Sequence, residues 1–124
     1  MVTFTIQAGT NMDGKTVDVA VVIPDASPVL TLARIGRVDL LNTFSIPIKI
    51  VDQVYYEITK PENDPKHDVA AALKRMHNQI EIIETATGVG FKAQRARDPN
   101  APGGNLGEIA VDEYVTRLAH KTAP

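Results

Sequence analysis

The stretch Val19-Ala-Val-Val-Ile-Pro-Asp-Ala-Ser-Pro-Val-Leu-Thr-Leu-Ala-Arg-Ile-Gly36 decides the fold class. From Val19 to Ile23 every residue is apolar, so the run has no face to offer water. It suits a central strand covered on both sides by helices. Asp25 stands where that strand stops. Ser27 is placed to cap a following helix over Pro28–Ile35, Pro28 carries the preset φ favoured at a first helical position, and Gly36 can close the helix in the left-handed conformation. The segment reads as strand, carboxylate, helix. In open α/β sheets ligands bind in the crevice beyond the carboxyl ends of the strands, so Asp25 is the first candidate for chemistry.

Upstream, residues 2–8 and 16–23 flank the turn-rich stretch Gly9 to Lys15, which contains Asp13-Gly14, and together they predict a β-hairpin. Downstream, Val38-Asp-Leu-Leu41 reads as a short helical turn with Phe44 packed beneath it. Ile46-Pro-Ile-Lys-Ile-Val51 is a second apolar strand, and Asp52 is positioned to cap a helix over Gln53–Lys60 that Pro61 stops. Asp64 before Pro65 opens another helix, in which Val69, Ala72, Leu73 and Met76 fall on one face. Gln79-Ile-Glu-Ile-Ile-Glu84 is the third strand of this alternation. Thr85 to Gly104 reads as a long, exposed and mobile connection carrying Lys92, Arg95 and Arg97. A last helix is expected from Leu106 to His120. Strands alternating with helices point to a parallel sheet between helical layers.

The 124 residues suit one domain, with 1–17 as an N-terminal hairpin extension and 18–119 as the core. At 44% hydrophobic and 23% charged, the composition is that of an ordinary globular protein. No apolar stretch approaches the roughly 20 residues that span a bilayer, and Met-Val-Thr-Phe-Thr lacks the order of a signal peptide, so a cytoplasmic setting without membrane contact is expected. The absence of cysteine excludes disulfides, a thiolate nucleophile and thiolate metal sites. Any metal must be held by oxygen or imidazole. The formal charge of −2 gives no electrostatic reason for tight nonspecific binding to nucleic acid.

Acidic residues recur at equivalent structural places. Asp25 follows the first apolar strand, Glu57 lies on the helix after the second, and Glu108 opens the last helix with Asp112 one turn later on its face. In a parallel sheet these four carboxylates can converge at one end. Mg²⁺ and Mn²⁺ prefer oxygen ligands and keep several waters, so a loose carboxylate cluster suits them and points to metal-assisted phosphodiester hydrolysis. Each residue also has a purely local use. Asp25 can form an Asx turn, Ser27 can be an N-cap only, and Glu57 and Asp112 can be solvated helix acids. Glu108 can close a capping box with Asn105, and the basic residues can be simply solvated. The histidines, His67, His77 and His120, show no metal-ligand spacing, and at least one of Tyr55 and Tyr56 is expected in the core.

The segment Pro24 to Leu41 resembles the first motif of PIN-domain proteins, the nucleases that include VapC-type toxins. Ile50-Val-Asp-Gln-Val-Tyr-Tyr-Glu-Ile58 is similar to the family's second strand and acidic helix, and Gly104-Asn-Leu-Gly-Glu-Ile-Ala110 to its Gly-Glu motif. The resemblance covers residues 18 to about 119. It implies a three-layer α/β/α fold with a central, mostly parallel sheet, here extended by the N-terminal hairpin. It further implies Asp25, Glu57 and Glu108 as catalytic metal ligands for Mg²⁺ or Mn²⁺, with Asp112 beside them, and single-stranded RNA as substrate. Ser27 would touch a metal-bound water, and Lys92, Arg95 and Arg97 would contact phosphates. An antitoxin protein is an expected partner. Family members usually continue into a further strand bearing another acidic residue, whereas this sequence stops at Pro124. The sheet edge so left open invites pairing, and a homodimer is expected. From a different functional class comes the alternative of a catalytically inactive PIN-like module serving protein interaction or structure. A haloacid-dehalogenase-type phosphatase ranks lower, since it needs a second aspartate where this chain has Ser27.

Overall fold

The computed structural model describes residues 2–10, 16–42 and 47–122. Its elements in chain order are β1 (Val2–Thr10), β2 (Thr16–Ile23), α1 (Ala26–Arg34), a 3-10 turn (Val38–Asn42), β3 (Ile48–Val51), α2 (Asp52–Thr59), α3 (Asp68–Arg75), β4 (Ile80–Ile83), α4 (Ala86–Arg97) and α5 (Leu106–Thr122). The architecture is α/β. Strands β2, β3 and β4 form a parallel sheet, and with the helices around it the arrangement is compatible with an α/β/α fold. Strand β1 pairs antiparallel with β2, so the order across the sheet is β1-β2-β3-β4. The turn read at Gly9 to Lys15 falls largely outside the described residues, as does Phe44.

Register follows the apolar residues. Val22 pairs with Ile48, and Ile48 to Val51 pair in step with Ile80 to Ile83. Because strand side chains alternate between faces, Ile48 and Ile50 bury on one face and Val51 on the other, as expected of a strand covered on both sides. Ile23, Ile48, Ile50, Val51, Val54, Ile58 and Val29 are the innermost residues, and Tyr55 packs partly buried against this cluster.

Several local readings change. Helix α1 begins at Ala26 with Asp25, not Ser27, at the N-cap position, and Ser27 is exposed in the first turn. Pro28 is tolerated there because first-turn N–H groups have no intrahelical partner to lose. Gly36 closes the helix as read, with φ +69°. The helix expected from Asp64 starts instead at Asp68, after a turn in which His67 adopts φ 60°. Asp64 still serves its amino end, accepting the Val69 and Ala70 N–H groups at 3.0 and 3.1 Å while itself buried. Asp64→Ala should therefore cost about 1–2 kcal/mol, as for loss of a helix cap, read as a lower urea midpoint at unchanged slope.

The largest change is α4. Residues 86–97, read as part of a mobile connection, are helical. Gly88 and Gly90 lower intrinsic helix propensity, and few apolar residues mark a buried face, so no periodicity announces this helix. Groups outside it hold its first turn. Thr85 Oγ1 accepts the Gly88 N–H at 2.9 Å. Glu113 of α5 accepts the Ala86 and Thr87 N–H groups at 2.7 and 3.0 Å and the Thr87 hydroxyl at 2.8 Å.

Candidate functional site

Since β2, β3 and β4 are parallel, their carboxyl ends share one edge of the sheet, and a helix leaves each almost at once: α1 at Ala26, α2 at Asp52, α4 at Ala86. Helix amino termini present unpaired N–H groups and the positive end of the helix dipole, which favours anions such as phosphate. This edge therefore carries acidic residues just beyond β2 and β3, while Glu113 and Thr85 already take the first N–H groups of α4 and Asp52 takes the Gln53 N–H of α2.

Asp25 lies at the end of β2 in extended conformation, φ −79° and ψ 165°, and its side chain is half-buried. Asp52, read from the sequence as the N-cap of α2, is instead the first residue of that helix, with Val51 at the N-cap position, and its task is tertiary. Its carboxylate accepts its neighbour Gln53 N–H at 2.9 Å, the Thr85 N–H at 3.0 Å and the Thr85 hydroxyl at 2.7 Å. Thr85 is buried and follows β4, so Asp52 ties together the carboxyl ends of two adjacent strands. Gly88 allows this approach, for a Cβ built there would lie 2.0 Å from Asp52 Oδ2.

Glu57 sits on α2, ion-paired with Lys60 at 3.1 Å, while its backbone carbonyl accepts the Asn63 side-chain amide at 2.7 Å. Glu108 and Asp112 are exposed on α5, one turn apart. A Cβ built on Gly107 would lie 3.6 Å from Val54, so the first turn of α5, which carries Glu108, packs on α2 at Val54. Among the described residues, no three carboxylate or histidine groups are gathered into a cage for a metal ion. Ser27 is exposed, and its carbonyl accepts the Thr31 hydroxyl at 2.9 Å.

The basic residues lie on α4. Lys92 and Arg95, three apart, face a cavity of ≈ 460 Å³ at the same end of the sheet, whereas Arg97 is exposed at the end of the helix. Tyr56 of α2 and Phe91 of α4 meet edge to face with centroids 5.1 Å apart. The Arg95 guanidinium lies over both rings, at 5.9 Å from Tyr56 and 5.2 Å from Phe91. Asp52, Ile82, Glu84 and Val89 complete the part of the wall nearest the strand ends. The sequence contains the signal for this pairing, since positions three apart on a helix are neighbours, but only once residues 86–97 are known to be helical.

Glu113, which holds the start of α4, has its carboxyl below the ordinary glutamate value of 4.5. Burial alone would raise it, but the Thr87 hydroxyl, the Thr87 and Ala86 N–H groups and the Arg117 charge together outweigh that effect. A carboxyl whose native value is depressed stabilises the fold fully above its unfolded value and loses that contribution as pH falls through the native one. Glu113→Gln should therefore flatten, relative to the wild type, the loss of melting temperature as the pH falls below 4.5. Parallel slopes in the two proteins would show that Glu113 takes no part in acid destabilisation.

No family model, no curated protein and no solved structure matches this chain.

Proposed function

We propose that the protein is a metal-dependent ribonuclease of the PIN type, hydrolysing phosphodiester bonds in single-stranded RNA. The observation that carries this reading is Asp25, a carboxylate at the carboxyl end of a parallel strand and at the amino end of α1. The donor set fits Mg²⁺ or Mn²⁺, because Asp25, Glu57, Glu108 and Asp112 offer oxygen ligands only. A bound ion would activate water and offset charge on the leaving oxygen. The chain's own groups do the rest. The α1 amino terminus attracts the scissile phosphate, Ser27 is exposed beside it, and Lys92, Arg95 and Arg97 hold flanking phosphates.

The reading extends to a PIN-like three-layer sandwich in which the antiparallel β1–β2 pair is an N-terminal addition. It also extends to an antitoxin protein and a second copy of the chain as partners. The test is cleavage of single-stranded RNA with Mn²⁺, together with the melting temperature against Mn²⁺ concentration. Cleavage together with metal-dependent stabilisation supports the nuclease. A wild type that shows neither is an inactive interaction module.

A further inference from the structure

We infer that the cavity between α2, α4 and the end of β4 binds the phosphorylated end of a nucleotide strand, with the phosphate on Arg95 and Lys92 and the base against Ile82 and Val89. Arg95 is the reason. Its Nε is buried and, among the described residues, has no hydrogen-bond partner, while one terminal nitrogen donates to the Pro99 carbonyl. A buried donor without an acceptor is costly, and a guanidinium held over two rings is already oriented for an incoming anion. The burial of Nε fixes the guanidinium in place, and a phosphate oxygen in the cavity can accept from the terminal nitrogen that does not bond Pro99. Lys92 lies on the same face of α4, lines the same cavity and is exposed, so it adds a second positive charge at the mouth.

The remainder of the ligand is read from the rest of the wall. Ile82 and Val89 are 44% and 49% exposed although both are large and apolar, and a planar base laid on them would cover that surface. The volume of ≈ 460 Å³ suits one nucleotide rather than an extended strand. Asp52 and Glu84 also line the cavity. Asp52 is engaged by Thr85 and Gln53, whereas exposed Glu84 is an acceptor suited to base amino groups. Position agrees with this assignment. The cavity opens beyond β4 while Asp25 follows β2, two strand spacings away on the same edge, or roughly 10 Å. A strand anchored by its end in the cavity therefore passes the carboxylates. The choice of a nucleotide over other phosphorylated aromatic groups rests on the ribonuclease reading.

The test is calorimetric titration of the full chain, with EDTA present, using adenosine and uridine 5′-monophosphates, the matching nucleosides, inorganic phosphate and phosphotyrosine. Monophosphates are expected to bind more tightly than either nucleosides or inorganic phosphate. Arg95→Met, which keeps the apolar stem, is expected to weaken them roughly ten- to hundredfold, the worth of a charge-assisted bond. Lys92→Met, at an exposed position, should weaken them severalfold, and His77→Gln, exposed ahead of β4 at the opposite end of the strand, should bind as the wild type does. Equal affinity of wild type and Arg95→Met, loss of binding in His77→Gln, or tighter binding of phosphotyrosine would overturn the proposal. A wild type that binds monophosphates without EDTA-sensitive RNA cleavage overturns the nuclease reading alone and leaves the cavity's assignment standing.

Discussion

Replacing Gly88 by alanine is expected to destabilise the protein by about 3 kcal/mol or more, the upper end of what overpacking a close contact costs. The new Cβ would lie 2.0 Å from Asp52 Oδ2 and 2.2 Å from its Cγ, far inside any van der Waals contact. Neither side can yield cheaply. The Asp52 carboxylate is held by the Thr85 N–H and hydroxyl, and Gly88 is held by its own N–H to Thr85 Oγ1. Relief means breaking the tie between the ends of β3 and β4 and leaving the buried Thr85 without its partners. For a domain of this size the loss corresponds to a fall in melting temperature of roughly 10 °C or more. Gly90, whose added Cβ would meet nothing within 4 Å, is the control. There alanine should be neutral or slightly stabilising, since it improves helix propensity by about 1 kcal/mol. Equal stability of Gly88→Ala and wild type would show that the Asp52 carboxylate does not lie beneath α4.

What the sequence discloses depends on how local the cause is. The β2–Asp25–α1 step is legible because everything that makes it is contiguous: an apolar run, an acid, a proline tolerated in the first turn, and Gly36 at positive φ. The parallel pairing of β3 with β4 follows from two short apolar runs separated by helices. Helix α4 is illegible for the opposite reason. Its start is fixed by Glu113, 26 residues from Thr87, and by a Thr85 that Asp52 holds from 33 residues away. Taken alone, residues 86–97 offer two glycines and scattered charges. The same blindness hides the cavity beside α4, since Lys92 and Arg95 read as cations of a mobile connection until a helix sets them on one face beside Tyr56. One signal was available. Asp52 and Thr85 each stand just after an apolar strand, and adjacent parallel strands bring such positions side by side.

On the proposed ribonuclease reading, Asp25→Asn is expected to abolish Mn²⁺-dependent cleavage of single-stranded RNA while preserving the fold. Groups that merely orient a metal ligand are worth 10- to 100-fold, so removing a ligand's charge should cost about 100-fold or more. The substitution keeps the shape of the side chain, and the N-cap position it occupies accepts asparagine as readily as aspartate. Folding and chemistry are thus separable at this residue. Without metal the variant should melt at the wild-type temperature, because the N-cap position accepts either side chain. With Mn²⁺ the two should part. An ion that binds only the native state stabilises it by an amount that grows with the logarithm of concentration above its dissociation constant, about 2.7 kcal/mol at a hundredfold excess. The wild type should climb along that curve and Asp25→Asn should follow it only at much higher Mn²⁺. Should Mn²⁺ raise both melting temperatures equally, the ion is bound elsewhere, and Asp25 serves the start of α1 rather than the hydrolysis of RNA.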